Sequence, residues 1–270
     1  PIVEAEVQEG KEDPLIVSPM PTFPEGAELG AHLNCWSEPE YNSFRIRGKD
    51  YLQDRKKIAS GPYVFPVRGV DLFLTDACPE HIGTNSGIMG GALREKPTFL
   101  INWRLPWGVL LFYYEIPERF VPFLKYRYEE EKPSLPSLDD MSPADRTMCR
   151  WLLGNDKHKN TTLKIVPVVA KGPWVVKSVV GGKPAIIGNK LPVTYIYCPA
   201  QGDKACYLEA DMDVVASSAA RGILSVCRSY TQSLTLDLGF VVQGNSEDEL
   251  PEQMMGAVRC HGLDPMNAGP

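Results

Sequence analysis

The residues whose types and spacing invite a chemical reading lie in "YLEADMDVVASS", residues 207–218, where Glu209, Asp211 and Asp213 alternate and Ser217-Ser218 follow. Two carboxylates at such a separation are what a glycoside hydrolase uses, and several oxygens together would suit a hard cation. On an extended strand, however, same-face neighbours stand roughly 6.5–7 Å apart, which makes a row of acids and not a cage. Leu208, Ala210, Met212 and Val214 take the opposite face. The alternation alone therefore accounts for the acids as the wet face of a half-buried strand. Ser217 and Ser218 read as the N-cap of a following helix.

Other catalytic signatures are missing: there is no Gly-x-Ser-x-Gly elbow, Walker A loop or His-Glu-x-x-His helix. "SGIMGG" lacks the lysine of a phosphate loop and reads as a flexible connection. His158, in "NDKHKN", reads as a solvated side chain in a polar turn. The basic residues are more suggestive. Arg45, Arg47, Lys49, Arg55, Lys56 and Lys57 cluster within a short stretch of a chain whose net charge is −6. Such a cluster could dock anionic head groups, each charge adding about 1 kcal/mol near an anionic surface. Among the tryptophans, Trp107, at a predicted hairpin tip, is the candidate for interfacial insertion. Trp36, Trp103, Trp151 and Trp174 read as core or rim.

These residues need elements to position them. The 270 residues, 43% of them hydrophobic and 23% charged, can bury a sizeable core. The acidic balance argues against nonspecific nucleic-acid binding. Seven scattered cysteines with no Cys-x-x-Cys argue for reduced thiols, an intracellular location and no structural zinc. No apolar run approaches a membrane span, so a cytoplasmic or peripheral membrane protein is expected. The sequence begins at Pro1, which leaves organelle targeting open.

Residues 1–30, rich in acid, Pro and Gly, read as an extended N-terminal arm, with order beginning near Cys35-Trp36. Residues 31–270 read as one domain. "NSFRIRGKDYL" alternates as a strand with Phe44 and Ile46 inward. "PTFLINWRLPWGVLLFYYEI" predicts two strands joined at Pro106-Trp107-Gly108 and covered on both faces. Residues 117–146 read as an exposed insertion ending in a helix capped by Ser142. "TTLKIVPVVA" predicts a strand that Pro167 marks as an edge or bulge, and "GPWVVKSVVGG" a short helix. "LPVTYIY" and "CYLEADMDV" predict an antiparallel pair. An amphipathic helix over about 217–232 contains Gly222, and a strand follows with Leu234, Leu236, Leu238, Phe240 and Val242 on one face. Ser246 and Glu249 suggest a capping box for a last helix carrying Met254, Met255 and Val258. The fold class is α+β, a single domain with an antiparallel, curved β-sheet and a few packed helices.

Four long stretches carry a family resemblance: "CWSEPEYNSFRIRGKDYLQDRKKIASG", "GNDKHKNTTLKIVPVVAKGPWVVKSVVGGKPAIIGNKLPVTYIY", "YLEADMDVVASSAARG" and "LTLDLGFVVQGNSEDELPEQMMGAVR". From about Cys35 to Arg259 the chain resembles the C-terminal domain of the plant Enhanced Disease Resistance proteins. The family's better-known members carry pleckstrin-homology and START lipid-transfer domains before this one, on which lipid or membrane association in the family largely rests; this chain resembles the C-terminal domain alone. The resemblance implies no catalytic residue set. Asn155-Asp156-Lys157-His158-Lys159-Asn160 and the 117–146 segment depart from the family pattern.

The expected function is a non-enzymatic binding module for a lipid or other hydrophobic ligand, with no cofactor, metal or nucleic acid. Gly222 would bring a helix close to a sheet, and Leu236, Leu238 and Phe240 would wall an apolar cavity. Arg45, Arg47, Lys49, Arg55, Lys56 and Lys57 would meet a head group or an anionic membrane surface. The alternative is a protein-interaction or scaffold subunit that uses the arm and the insertion on a protein partner. A hydrolase using the strand carboxylates is the least favoured reading.

Overall fold

Alternating apolar side chains lay this chain into two stacked sheets. A computed structural model describes residues 16–75, 77–180 and 184–264. Among these, the strands are β1 Ile16–Pro19, β2 Cys35–Ser37, β3 Arg45–Arg47, β4 Lys57–Ala59, β5 Val67–Leu74, β6 Thr98–Leu105 and β7 Gly108–Glu115. They continue with β8 Leu163–Lys171, β9 Ala185–Ile186, β10 Val193–Cys198, β11 Tyr207–Asp213, β12 Thr235–Val242 and β13 Met254–His261. The helices are α1 Tyr51–Asp54, α2 Val121–Tyr128, α3 Pro143–Leu153, α4 Asp156–Thr162, α5 Trp174–Val180 and α6 Ser218–Arg228. The protein is a single α+β domain.

The first sheet has the order β1-β5-β7-β6-β11-β10 and the second β2-β13-β12-β8-β9, while β3 and β4 form a separate ribbon. Pairing is antiparallel except between β6 and β11, which run parallel. The inner faces meet in an aromatic core, where Phe240 of the second sheet lies 6.0 Å from Phe112 and 6.2 Å from Tyr114 of the first. Phe44 and Ile46 cover the outer face of the second sheet over Val241 and Met254. β8 is paired with β9 only at Lys164 and Ile165, so Pro167 sits where the strand is an edge. Ser142 caps α3 by accepting from the Asp145 N–H at 3.1 Å, and Met148, Trp151 and Leu152 are buried as their spacing requires.

Several expectations need correction. Residues 117–146 are only partly an exposed insertion. They hold α2, and Phe120, Phe123 and Leu124, at helical spacing, are fully buried. The anticipated last helix is strand β13. Pro251 lies among the residues that would begin such a helix, and the sheet buries Met254 and Met255 on opposite faces. "NDKHKN" is not a turn but runs into α4, capped by Asn155 accepting from the His158 N–H. The 1–30 arm is stitched in from residue 16, earlier than Cys35: β1 pairs with β5, Met20 is buried, and the Phe23 ring stacks on His261 at 3.8 Å. Residues 1–15 lie outside the described residues. "SGIMGG" is no free connection either. Ile88 and Met89 are buried with Ile82 against Leu100, Leu111 and Tyr207, which covers the outer face of the first sheet.

Candidate functional site

Where β6 and β7 turn at Pro106-Trp107, the inner faces of the two sheets and the two helices α5 and α6 enclose an apolar cavity of about 370 Å³. Trp103 and Leu110 line it from the first sheet, Ile165 and Leu238 from the second, and Ile223 and Leu224 from α6. The sequence builds this cover locally. Ser217 accepts from the Ala220 N–H at 3.2 Å to start α6, and the helix presents its apolar stripe inward. No described side chain of α6 reaches full burial, and Ile223 keeps 40% of its surface exposed. The helix therefore lies across the cavity as a cover and is not plugged into the core.

Beside the cavity runs a second depression of about 420 Å³ with a different character. Of the described residues lining it, Arg45, Arg47, Lys57, Lys164 and Lys190 are cationic and Glu252 alone is acidic. Glu252 is already engaged. It receives Lys164 Nζ at 2.6 Å, the Arg47 backbone N–H at 3.1 Å and the Gly244 N–H at 3.1 Å. Burial pulls the Lys164 ammonium below the usual lysine range, and Glu252 beside it works the other way. Arg45 donates to the Lys57 carbonyl at 2.8 Å, which holds its guanidinium at the rim. Arg45, Lys57 and Lys190 remain as positive charge beyond what Glu252 offsets. Ala185 and Lys190 line both depressions, so groove and cavity share a wall.

The carboxylate row does not face water. Tyr207, Glu209 and Asp211 lie on the outer face of the first sheet, beneath the 77–94 loop, where Glu209 is 0% and Asp211 3% exposed. The Gly83 N–H donates to Glu209 Oε2 at 3.1 Å, and the His81 N–H donates to Asp211 Oδ2 at 3.0 Å. Asn102 Nδ2 donates to Asp211 Oδ1 at 2.7 Å. Burial first, and then the neighbouring Asp211, push Glu209 well above the usual carboxyl range. Its buried Oε1 lacks a protein donor, which suits a carboxyl that keeps its proton and donates toward Asp211. Only Asp213 is partly exposed. It accepts from the Ala216 N–H at 2.9 Å and lies 3.7 Å from Arg104. These acids bind a loop to a sheet. Among the described residues no three His, Cys, Asp or Glu side chains converge as a metal site.

The sequence-predicted residues divide accordingly. Leu236 and Leu238 line the cavity. Phe240 lies deeper, in the aromatic core against Phe112 and Tyr114. Gly222 makes no close approach. A Cβ added there would meet nothing within 4 Å, and the residue is exposed on the outer side of α6. Arg45, Arg47 and Lys57 reach the groove. Lys49, Arg55 and Lys56 do not: Arg55 stacks over Tyr51 and Lys56 pairs with Asp54. Trp107 is a half-buried part of the cavity wall, not a protruding tip. Sequence reasoning missed Trp103, Lys164 and Lys190, which come from segments distant in the chain and meet only when the sheets stack. It also missed the exposure of Trp174, the first residue of the seven-residue helix α5.

Comparison with known proteins agrees with the motif-level resemblance. The family model described as "Protein ENHANCED DISEASE RESISTANCE 2, C-terminal" matches residues 36–264. A relative from Arabidopsis thaliana, "Protein ENHANCED DISEASE RESISTANCE 2-like", is 29% identical over 236 residues. That alignment covers 86% of this chain and 29% of the relative, so the chain spans less than a third of that protein's length. No solved structure matches the chain.

Proposed function

The chain belongs to the Enhanced Disease Resistance 2 C-terminal family, and from that premise we propose that it is a non-enzymatic binding module for an amphiphilic lipid. The observation that carries the reading is adjacency: an apolar cavity and a cationic groove meet along Ala185 and Lys190. Hydrocarbon would occupy the space between the sheets under α6. A negatively charged head group would sit in the groove near Arg45, Lys57 and Lys190. A cavity of 370 Å³ falls in the range of small-molecule sites. At ~24 cal/mol per Å³, filling it with apolar atoms is worth about 9 kcal/mol before the costs of ordering the ligand are met. Micromolar binding needs about 8 kcal/mol net, so the head group has to supply a further contribution. The cationic groove is the source available.

Mass spectrometry of organic extracts tests the proposal. Wild-type protein, as purified or after incubation with long-chain fatty acid or phospholipid, is expected to retain one lipid per chain. Leu224→Trp places an indole in the cavity from a helix with no fully buried side chain, and should keep the fold while losing most of that lipid. Clean extracts from the wild type with no uptake of added lipid would overturn the reading.

A further inference from the structure

We propose that the surface formed by α5 and α6 docks on an anionic lipid bilayer, with Trp174 entering the interface. The inference goes beyond ligand binding and rests on the charge and exposure of these helices. Residues 157–202 contain no Asp or Glu and seven lysines, of which Lys159 and Lys164 are buried, and residues 214–236 contain Arg221 and Arg228 and again no acid. Both stretches belong to a chain with an excess of acids, 34 against 28 Lys and Arg. α5 comes from the first stretch and α6 from the second, and the two helices pack beside each other.

The same surface carries exposed apolar groups. Trp174 is 79% exposed, by far the largest value among the described large hydrophobics, and Val179 and Ile223 are 42% and 40% exposed. A tryptophan so placed costs free energy in water and is stabilised at a headgroup boundary, where its ring is half wetted. Lys177 and Arg221 are exposed on these helices, and a cation near an anionic surface contributes about 1 kcal/mol. Apolar groups interleaved with cations and free of acids match a membrane with negatively charged head groups. They match a second copy of this chain poorly, because a two-fold contact through this face would bring its cations against one another. The face also continues into the cavity: Ile223 is both exposed and part of its wall, and Val180 at the end of α5 lines it too. A bilayer on this face would lie against the cover of the lipid-sized space.

Co-sedimentation with vesicles tests the docking. Wild-type protein should bind vesicles of phosphatidylcholine with about a third phosphatidylserine, should ignore pure phosphatidylcholine, and should release as salt rises. Trp174→Ala and Lys177→Glu lie at exposed positions and should each weaken binding by roughly tenfold or more, the effect of ~1.4 kcal/mol. Lys56→Glu, a charge reversal at a lysine that belongs to neither helix and pairs with Asp54, should change binding little. Failure of the wild type to bind anionic vesicles overturns the proposal, as does a Lys56→Glu loss equal to that of Lys177→Glu. Light scattering that shows dimers abolished by Trp174→Ala, without vesicle binding, assigns the face to a second copy and also overturns it. Lipid in the extracts with no vesicle binding sinks the docking and leaves the cavity intact. Vesicle binding with clean extracts does the reverse.

Discussion

Glu209 loses contact with water because the 77–94 loop folds over the outer face of β11, and its carboxyl keeps its proton well above the usual range. The sign of the linkage follows. The unfolded chain releases this proton near pH 4.5 and the folded chain does not, so the contribution is complete below that pH and is lost as pH rises toward the folded value. Glu209→Gln supplies a neutral group of the same shape. The variant should therefore match the wild type near pH 4 and become more stable than it at pH 7–8, by about 1.4 kcal/mol for each unit of displacement. Thermal melts across that range check this, and a gap that closes with rising pH would contradict it. Alternation in the sequence separated the two faces of this strand correctly. What it does not contain is the cover. The covering loop lies more than a hundred residues earlier, and Ile82, Ile88 and Met89 carry no period of their own. A polar face under a loop and a polar face under water read the same.

The elements themselves were legible where one period dominates. The β6–β7 hairpin, the β10–β11 pair, helix α3 and helix α5 each follow from spacing and capping. β13 defeated the same reasoning because a strand buried on both faces carries apolar side chains at consecutive positions, and Met254, Met255 and Val258 fit a helical stripe equally well. α2 was hidden by its charged neighbours: Phe120, Phe123 and Leu124 are three residues in a run otherwise rich in Glu, Lys and Pro. α6 was placed correctly, but the role given to Gly222 was not. Because a Cβ there meets open space and the backbone is helical, the residue weakens α6 without a packing return. Gly222→Ala should stabilise the protein by about 0.5–1 kcal/mol and leave lipid retention unchanged. Denaturant titrations beside extraction assays decide it, since a loss of lipid would restore the glycine to the site.

At the scale of the whole molecule, function depends on contacts between segments far apart in sequence. Two sheets stack on an aromatic core at one end and leave an apolar space at the other, where Trp103, Leu238 and Leu224 face one another. Strand β9, only two residues long, places Ala185 between that space and the cationic groove. Of the ligand-facing residues the sequence identified, Leu236, Leu238, Arg45, Arg47 and Lys57 reach the two depressions. Lys164, Lys190 and the tryptophan walls emerge only from the stacking. Among the described residues no helix is long and apolar enough to cross a membrane; the lipid contacts proposed above are enclosure between the sheets and docking on a surface. The most direct measurement is quenching of tryptophan fluorescence by a brominated single-chain fatty acid below its micellar concentration. An occupied cavity predicts saturable quenching at one ligand per chain. The quenching should largely disappear when Trp103 and Trp107 are changed together to Phe, and persist in Trp174→Phe. Quenching that never saturates, or that vanishes with Trp174 alone, would contradict a ligand held between the sheets.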